Sequence, residues 1–279
     1  MISVIVPAHN EARVIQRLLG PLISTAQPGE FEVIVVANGC TDDTADVAAA
    51  FGPPVRVLST PVASKSAALA AGDDAAAGFP RIYADADIEL GAEDVRALAQ
   101  ALDNPGILAA APQRELALAG RPWLIRWYYD VWSRLPEVQR GLFGRGVICV
   151  SEVGHKRIAG LPQVMADDLI ASLSFRPAER VIADGARVVI HPPRTVGDLL
   201  RRRVRATVGV TQIELAADTP EATARTRPGD LLAIARQGPV MAARVAVFAA
   251  ISVLARAKAR RAIARNDYSG WLRDESSRT

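Results

Sequence analysis

Apolar positions in the first hundred residues follow two alternating rhythms. Ser3–Val6, Phe31–Val36 and Val55–Leu58 are short, β-branched runs of the kind that form buried strands. Between them, Val14, Ile15, Leu18, Leu19 and Leu22 recur at helical spacing, which predicts a helix over Ala12–Ile23. Thr41-Asp42-Asp43-Thr44 offers caps for a second helix through Ala50. Ser64–Ala77 is a third helix, closed by Gly78. A fourth strand starts at Arg81–Tyr83 and ends at Asp85, followed by a helix over Ala92–Leu102. Strand and helix in this order predict an α/β fold, a Rossmann-like, mostly parallel sheet with helices on both faces.

The second half is less regular. Trp123, Trp127, Tyr128, Tyr129 and Trp132 concentrate the aromatics within ten positions. They read as a helix packed on the sheet, with a sugar-stacking platform as the alternative. Val147–Val150 and Val188–Ile190 are strand-like, Leu169–Leu173 is a short helix and Val196–Gln212 an Arg-rich one. Ala217–Gly229 is the expected boundary before a C-terminal helical extension.

The most apolar stretch is Pro239–Ala257. Its longest uncharged run, Val245–Ala255, would span roughly 16 Å as a helix, about half of a ~30 Å bilayer core. Arg244 precedes the run, and Arg256, Lys258, Arg260, Arg261 and Arg265 follow it. A transmembrane span is therefore disfavoured against a core helix or a membrane-surface helix. The residues from Met1 to Pro7 read as a strand and not as a signal peptide, so the expected location is cytoplasmic, with peripheral contact at the inner face of the plasma membrane.

Charge sharpens this division. The net charge of +3 conceals 30 Arg against 3 Lys. Residues 1–140 carry 11 basic and 17 acidic side chains, and residues 141–279 carry 22 and 13. A basic second half suits an anionic partner such as phosphate or a membrane surface. No nucleic-acid partner is expected. The two cysteines, Cys40 and Cys149, form no CxxC pair, which argues against a disulfide framework or a cysteine-ligated zinc site.

Ligands of parallel α/β sheets sit at the carboxyl ends of strands. Here those ends read Pro7-Ala8-His9-Asn10-Glu11, Ala37-Asn38-Gly39-Cys40-Thr41-Asp42-Asp43 and Asp85-Ala86-Asp87. GxGxxG and GxxxxGK[ST] are both absent, which disfavours dinucleotide-binding and P-loop chemistry. Two carboxylates at i and i+2 just past a strand can reach a hard divalent cation and the ribose beside it. Such a cation neutralises the charge of a leaving diphosphate.

Together with Ser64-Lys65-Ser66-Ala67-Ala68-Leu69, these motifs resemble, in order and spacing, the family 2 glycosyltransferases of the GT-A fold. The resemblance covers roughly residues 1–210. It implies a transferase that moves a sugar from a nucleoside-diphosphate sugar to an acceptor hydroxyl with inversion, using Mg²⁺ or Mn²⁺. A non-catalytic nucleotide-sugar-binding protein is the alternative. A nucleotidyltransferase is less expected, because no Gly- and Arg-rich loop follows the first strand.

The resemblance assigns residues 1–104 to a nucleotide-sugar-binding half, residues 105–216 to an acceptor half and residues 217–279 to the extension. Pro7, Ala8, Asn10, Glu11, Asn38 and Gly39 would line the nucleotide pocket. Asn38 stands where many relatives have an Asp, and its amide offers a donor as well as an acceptor. Lys65 would approach the base or phosphates. Asp85, Ala86 and Asp87 would form the DxD motif, with Asp85 and Asp87 at the metal and His191 as a further ligand. Met165-Ala166-Asp167-Asp168-Leu169 resembles the family's acidic pair, with Asp168 as general base and Asp167 either orienting it or capping the helix. Arg202, Arg203 and Arg205 fall in a stretch similar to a QRxRWxxG motif, with Arg for Gln and Ala for Trp. They are diphosphate or acceptor candidates. Gly144-Arg145-Gly146 is a glycine-flanked turn, either beside the acceptor or simply structural.

Overall fold

A computed structural model describes residues 1–161, 167–216 and 226–264. The first strands and helices are β1 (Ile2–Ala8), α1 (Ile15–Ser24), β2 (Phe31–Asn38), α2 (Thr44–Ala49), β3 (Val55–Thr60), α3 (Lys65–Ala75), β4 (Arg81–Ala84) and α4 (Ala92–Ala101). The chain continues through β5 (Ala109–Leu116), α5 (Trp123–Arg134), α6 (Pro136–Arg140), β6 (Val147–Val150), α7 (Glu152–Ala159), α8 (Asp167–Leu173) and β7 (Arg180–Ile190). It closes with three helices, α9 (Val196–Ala216), α10 (Pro228–Ala235) and α11 (Pro239–Ala264).

The seven strands form one sheet in the order β3-β2-β1-β4-β6-β5-β7. β1 pairs in parallel with both β2 and β4, and β2 with β3. The chain thus winds outward from β1 to β3 and then returns to β1's other side. That reversal opens a crevice at the carboxyl ends of β1 and β4, where loaded loops can meet a ligand. β6 runs antiparallel to β4 and β5, so the sheet is mixed on its second side.

The unbroken apolar runs of β1 and β2 are explained by burial on both faces. Leu18, Leu22, Val95 and Leu98 of α1 and α4 cover one face together with Val4, Val6, Val33 and Val35. Ala68 of α3 meets Ile34 and Val36 on the other. Ser64 caps α3, its hydroxyl accepting from the Ala67 N–H at 3.2 Å.

The pattern understated two strands. Ala109-Ala110-Ala111-Pro112 has little intrinsic strand preference, yet pairing with β6 and β7 makes it β5. β7 begins eight residues before Val188, because Asp184-Gly185, a turn signal, sits in a bulge where the register jumps between Pro112 and Gln113. The aromatic cluster also differs from expectation. α5 packs mainly on helices and touches the sheet at Arg114 and Leu116 of β5: Ile125, Tyr128 and Tyr129 meet Leu199 of α9 and Phe248 and Ile251 of α11. The expected boundary at Ala217–Gly229 falls largely outside the described residues, as do Met165, Ala166 and Arg265.

Candidate active site

The loops after β1 and β2 are joined by short polar contacts. Asn10 takes a left-handed conformation (φ 52°), and its Oδ1 accepts from the Thr41 N–H at 2.8 Å. The Glu11 N–H donates to Thr44 Oγ1 at 2.8 Å and the Ala12 N–H to Asp42 Oδ2 at 3.1 Å. Burial would raise the Asp42 carboxyl, but the Thr44 hydroxyl and the Ala12 and Thr44 N–H groups donate to it and hold it below its ordinary range. The Cys40 thiol lies 3.6 Å from the Ala8 carbonyl, a small hydrogen-bonded filler between the two loops. Gly39 has φ +58°, and a Cβ there would stand 2.6 Å from the Ala63 nitrogen. Pro7 is half-buried, whereas Ala8 and Glu11 are buried.

Asn38 is 2% exposed at the end of β2. Its Nδ2 donates to the carbonyls of Ala8 (2.7 Å) and Val36 (3.3 Å), which fixes the amide orientation. Oδ1 is buried and unpartnered. The dual donor–acceptor role expected from the sequence is therefore corrected. The two hydrogens are spent on the backbone, and what remains is an acceptor, as a carboxylate would be.

Beyond β4 the chain alternates. Ala86, Ile88 and Leu90 enter the core, and Asp85, Asp87 and Glu89 face the other way, half-exposed. Asp85, Asp87, Asp168, His191 and Arg202 line one pocket, floored by Ile88 and Ile190 and edged by Gly144 and Gly146. The Asp85 N–H donates to the Gly146 carbonyl at 2.8 Å. Gly146 has φ +67°, and a Cβ there would lie 2.9 Å from Ile88 and 3.3 Å from Asp85 Oδ2.

Lys65, at the start of α3, bridges the two sides of the pocket. Its Nζ lies 2.8 Å from Asp85 Oδ1 and 2.9 Å from Asp167 Oδ2. Burial alone would lower the lysine, but Asp167 and Asp85 hold it above its ordinary value. Asp85 shows the reverse balance: burial raises it, and Lys65, Arg205 and Arg202 pull it down more strongly.

Asp168 Oδ2 accepts from the Gly144 N–H at 2.7 Å. Burial and the neighbouring Asp167 nevertheless push its carboxyl up, against the opposing pull of that N–H and of Lys65. A carboxylate with raised proton affinity, oriented by one backbone donor, is suited to take a proton.

The Arg-rich helix divides its side chains by rotation. Arg202 faces the pocket, and Arg205 is close enough to act on Asp85. Arg203 turns toward α5, its guanidinium 5.9 Å from the Tyr128 ring. One residue is about 100° of helix, so Arg202 and Arg203 do not share a face. Arg145 is buried and takes no part in an anion site: it donates to the carbonyls of Pro112, Gln139 and Gly141 at 2.9–3.1 Å. It thereby anchors the turn that carries Gly144 and Gly146.

His191 Nε2 lies 2.7 Å from Glu89 Oε1. The carboxylate accepts, so Nε2 carries the hydrogen and Nδ1 is the nitrogen left for another partner. Glu89 was missed in the sequence. Its signal was its place two residues beyond Asp87, on the same face of the alternation. Arg114 was missed as well. It stacks 4.4 Å from Trp132, behind Gly144, and burial together with Arg145 pushes its pKa down to about 9.

Among the described residues no three His, Cys, Asp or Glu side chains are grouped as a ready-made metal shell. The pocket is nonetheless rich in oxygen donors, with an imidazole at its edge, a donor set of the kind a hard divalent cation accepts.

The sequence pattern of glycosyl transferase family 2 matches residues 3–149. The chain belongs to this family. It is a glycosyltransferase, and the nucleotidyltransferase and bare binding-module alternatives are set aside. An uncharacterized glycosyltransferase of Mycobacterium tuberculosis is 29% identical over 210 residues, covering 70% of this chain and 87% of that protein. Three solved structures share the fold. The mannosyltransferase PcManGT from Pyrobaculum calidifontis, in complex with GDP-Man and Mn²⁺, superposes with a TM-score of 0.61 at 20% identity, over 96% of this chain and 75% of that one. Glucosyl-3-phosphoglycerate synthase from M. tuberculosis, in complex with phosphoglyceric acid, gives 0.57 at 21% identity, over 76% and 79%. S. aureus TarS with UDP gives 0.52 at 16% identity, over 96% and 92%.

Proposed function

We propose that this glycosyltransferase moves a sugar from a nucleoside-diphosphate sugar to an acceptor hydroxyl with inversion at the anomeric carbon, using a divalent cation. The observation that carries the reading is the single pocket shared by Asp85, Asp87 and Asp168. A carboxylate that gains a proton sits opposite the pair that would meet the donor diphosphate.

Asp168 takes the acceptor hydroxyl's proton as its oxygen bonds to the anomeric carbon. The bond from that carbon to the diphosphate breaks, and the electron pair leaves with the phosphate. Attack from the far face makes a covalent sugar–enzyme link unnecessary. Arg202 and Arg205 offset the charge that develops on the leaving group. Asn38, an acceptor only, meets a base edge that presents an N–H. Lys65 keeps Asp85 and the Asp167–Asp168 pair together across the bound sugar.

Asp85, Asp87 and the Nδ1 of His191 would hold Mg²⁺ or Mn²⁺, with diphosphate oxygens completing the shell. Bound there, the cation would act as a Lewis acid toward those oxygens. The mannosyltransferase complex with GDP-Man and Mn²⁺, and a second structure of glucosyl-3-phosphoglycerate synthase that holds Mn²⁺, UDP and phosphoglyceric acid, support this metal use and donor class.

The test is Asp168→Asn. With a donor identified by thermal shift across nucleoside-diphosphate sugars, transfer should fall by about 10²–10⁴-fold, while donor affinity by calorimetry stays within about threefold of wild type. Unchanged transfer removes Asp168 as the base. Wild-type transfer should also fall as pH drops through the raised Asp168 pKa, since only the carboxylate accepts the proton.

A further inference from the structure

α11 is apolar on two sides, and the described residues pack on only one of them. Phe248, Ile251, Ala255 and Ala259 are buried against α5 and α9. The opposite side presents Ala243, Ala246, Ala250, Val253, Leu254 and Ala257, all exposed. Val253 is 60% exposed and Leu254 53%. An 18-residue window of this helix has a mean hydropathy of 1.8, with 22% of it buried. Of the eight large hydrophobic side chains most exposed among the described residues, four belong to α10 and α11 (Leu232, Val240, Val253 and Leu254), and a fifth, Trp123, starts α5. A soluble domain rarely leaves so much of one helix apolar and uncovered.

The charges on the helix have one sign. From Pro239 to Ala264 there are five basic residues and no acidic one. Arg244 turns inward and pairs with Asp130 at 2.6 Å. Arg256, Lys258, Arg260 and Arg261 are exposed at the C-terminal end.

We propose that the outer face of α11 docks on an anionic lipid surface, lying along it with its inner face still packed on the domain. The apolar residues would enter the headgroup–acyl boundary, and the four cations would meet lipid phosphates. A second copy of the chain fits less well. A two-fold contact through this face would bring like charges together with no acidic residue on the helix to offset them.

The packing also gives the docked face a role. α9 turns Arg202 into the pocket and buries Val204 and Val208 against Ala255 and Ala259 of α11. Packed helices lie about 8–10 Å apart. A membrane under α11 therefore stands roughly two helix diameters, about 20 Å, from the cationic wall of the pocket. The inference is independent of the proposed transfer reaction, because lipid binding needs no turnover.

The experiment is flotation of the full chain with phosphatidylcholine vesicles, with and without phosphatidylglycerol. Binding should be about tenfold or more stronger to the anionic vesicles and should weaken as salt is raised. Val253→Asp/Leu254→Asp should abolish flotation. Replacing Arg256, Lys258, Arg260 and Arg261 with Ser should remove the preference for anionic lipid. Both variants are checked by circular dichroism and thermal melting, since every substituted side chain is exposed. The proposal is overturned by absence of flotation on either vesicle, by variants that float like wild type, or by a concentration-dependent dimer in light scattering that Val253→Asp/Leu254→Asp dissolves.

Discussion

Two walls of the candidate site, the loops after β1 and β2 and the surround of the acidic pocket, are built differently. The wall from β1 and β2 is fastened to itself, Asn10 to Thr41, Glu11 and Ala12 to Thr44 and Asp42, and Asn38 to the backbone of Ala8 and Val36. Its contacts are short and mostly involve peptide groups. The wall from β6, α8 and the end of β7 is held by side chains that reach across: Lys65 to Asp167, Asp168 to the Gly144 N–H, and His191 to Glu89. A wall fastened to its own backbone stays put whether or not a ligand is present. A wall held by charged groups shared with the site can respond to what the site contains. The first suits a nucleotide that must be read the same way each time, and the second suits the group that reacts.

The largest effect should come from breaking the fastened wall. Gly39→Val demands a left-handed conformation of a β-branched residue and drives its Cβ onto the Ala63 backbone. Stability measured by chemical denaturation should drop by about 2–4 kcal/mol, and nucleotide binding should be lost with it. A variant as stable as wild type would mean that the β2 loop can take another path.

The Lys65 bridge within the reaching wall comes next. Lys65→Met leaves Asp85 and Asp167 facing each other without the cation between them. Charge-assisted contacts of this kind correspond to about 10–100-fold in binding or rate, and the loss should appear in kcat/KM. Stability should change by no more than about 1 kcal/mol, because Lys65, Asp85 and Asp167 are 32–41% exposed. A fall in melting temperature with kcat/KM unchanged would make the bridge a structural strut.

The same contrast explains what could be read from the sequence. The fastened wall is made of contiguous motifs at strand ends, and residues such as Asn10, Asn38 and Gly39 stand where the winding of a parallel sheet brings them together. The first four strands, with the helices between them, were legible for the same reason: buried runs and helical spacing are local. The reaching wall was legible only in pieces. Asp167 and Asp168 were visible as an acidic pair, but their partners Lys65 and Gly144 were not, since those contacts form through tertiary packing. β5 was invisible because Ala109–Ala111 favours a strand only beside β6 and β7. Arg203 was grouped with Arg202 because adjacency in sequence says nothing about rotation around a helix.

Glu89→Gln is the smallest perturbation and the finest test of the reaching wall. The amide is nearly isosteric with the carboxylate, so packing should hold and the melting temperature should stay put. What changes is the instruction to His191. A carboxylate can only accept, which requires the hydrogen on Nε2 and frees Nδ1 for the pocket. An amide can turn and donate to Nε2, so the imidazole gains access to the other tautomer. Partners that orient a ligating histidine typically contribute 10–100-fold to metal affinity. Glu89 is 41% exposed, where water can replace part of its effect, so the expected loss is near the lower end, about tenfold. Mn²⁺ titration followed by electron paramagnetic resonance gives the affinity, and the ¹⁵N shifts of His191 give the tautomer without relying on turnover. If the tautomer mixture changes and the Mn²⁺ affinity does not, His191 belongs to the acceptor side of the pocket and the metal is held by Asp85 and Asp87 with the donor alone. If neither changes, the hydrogen bond to Glu89 is incidental, and the reaching wall depends on Lys65 and Gly144 for its order.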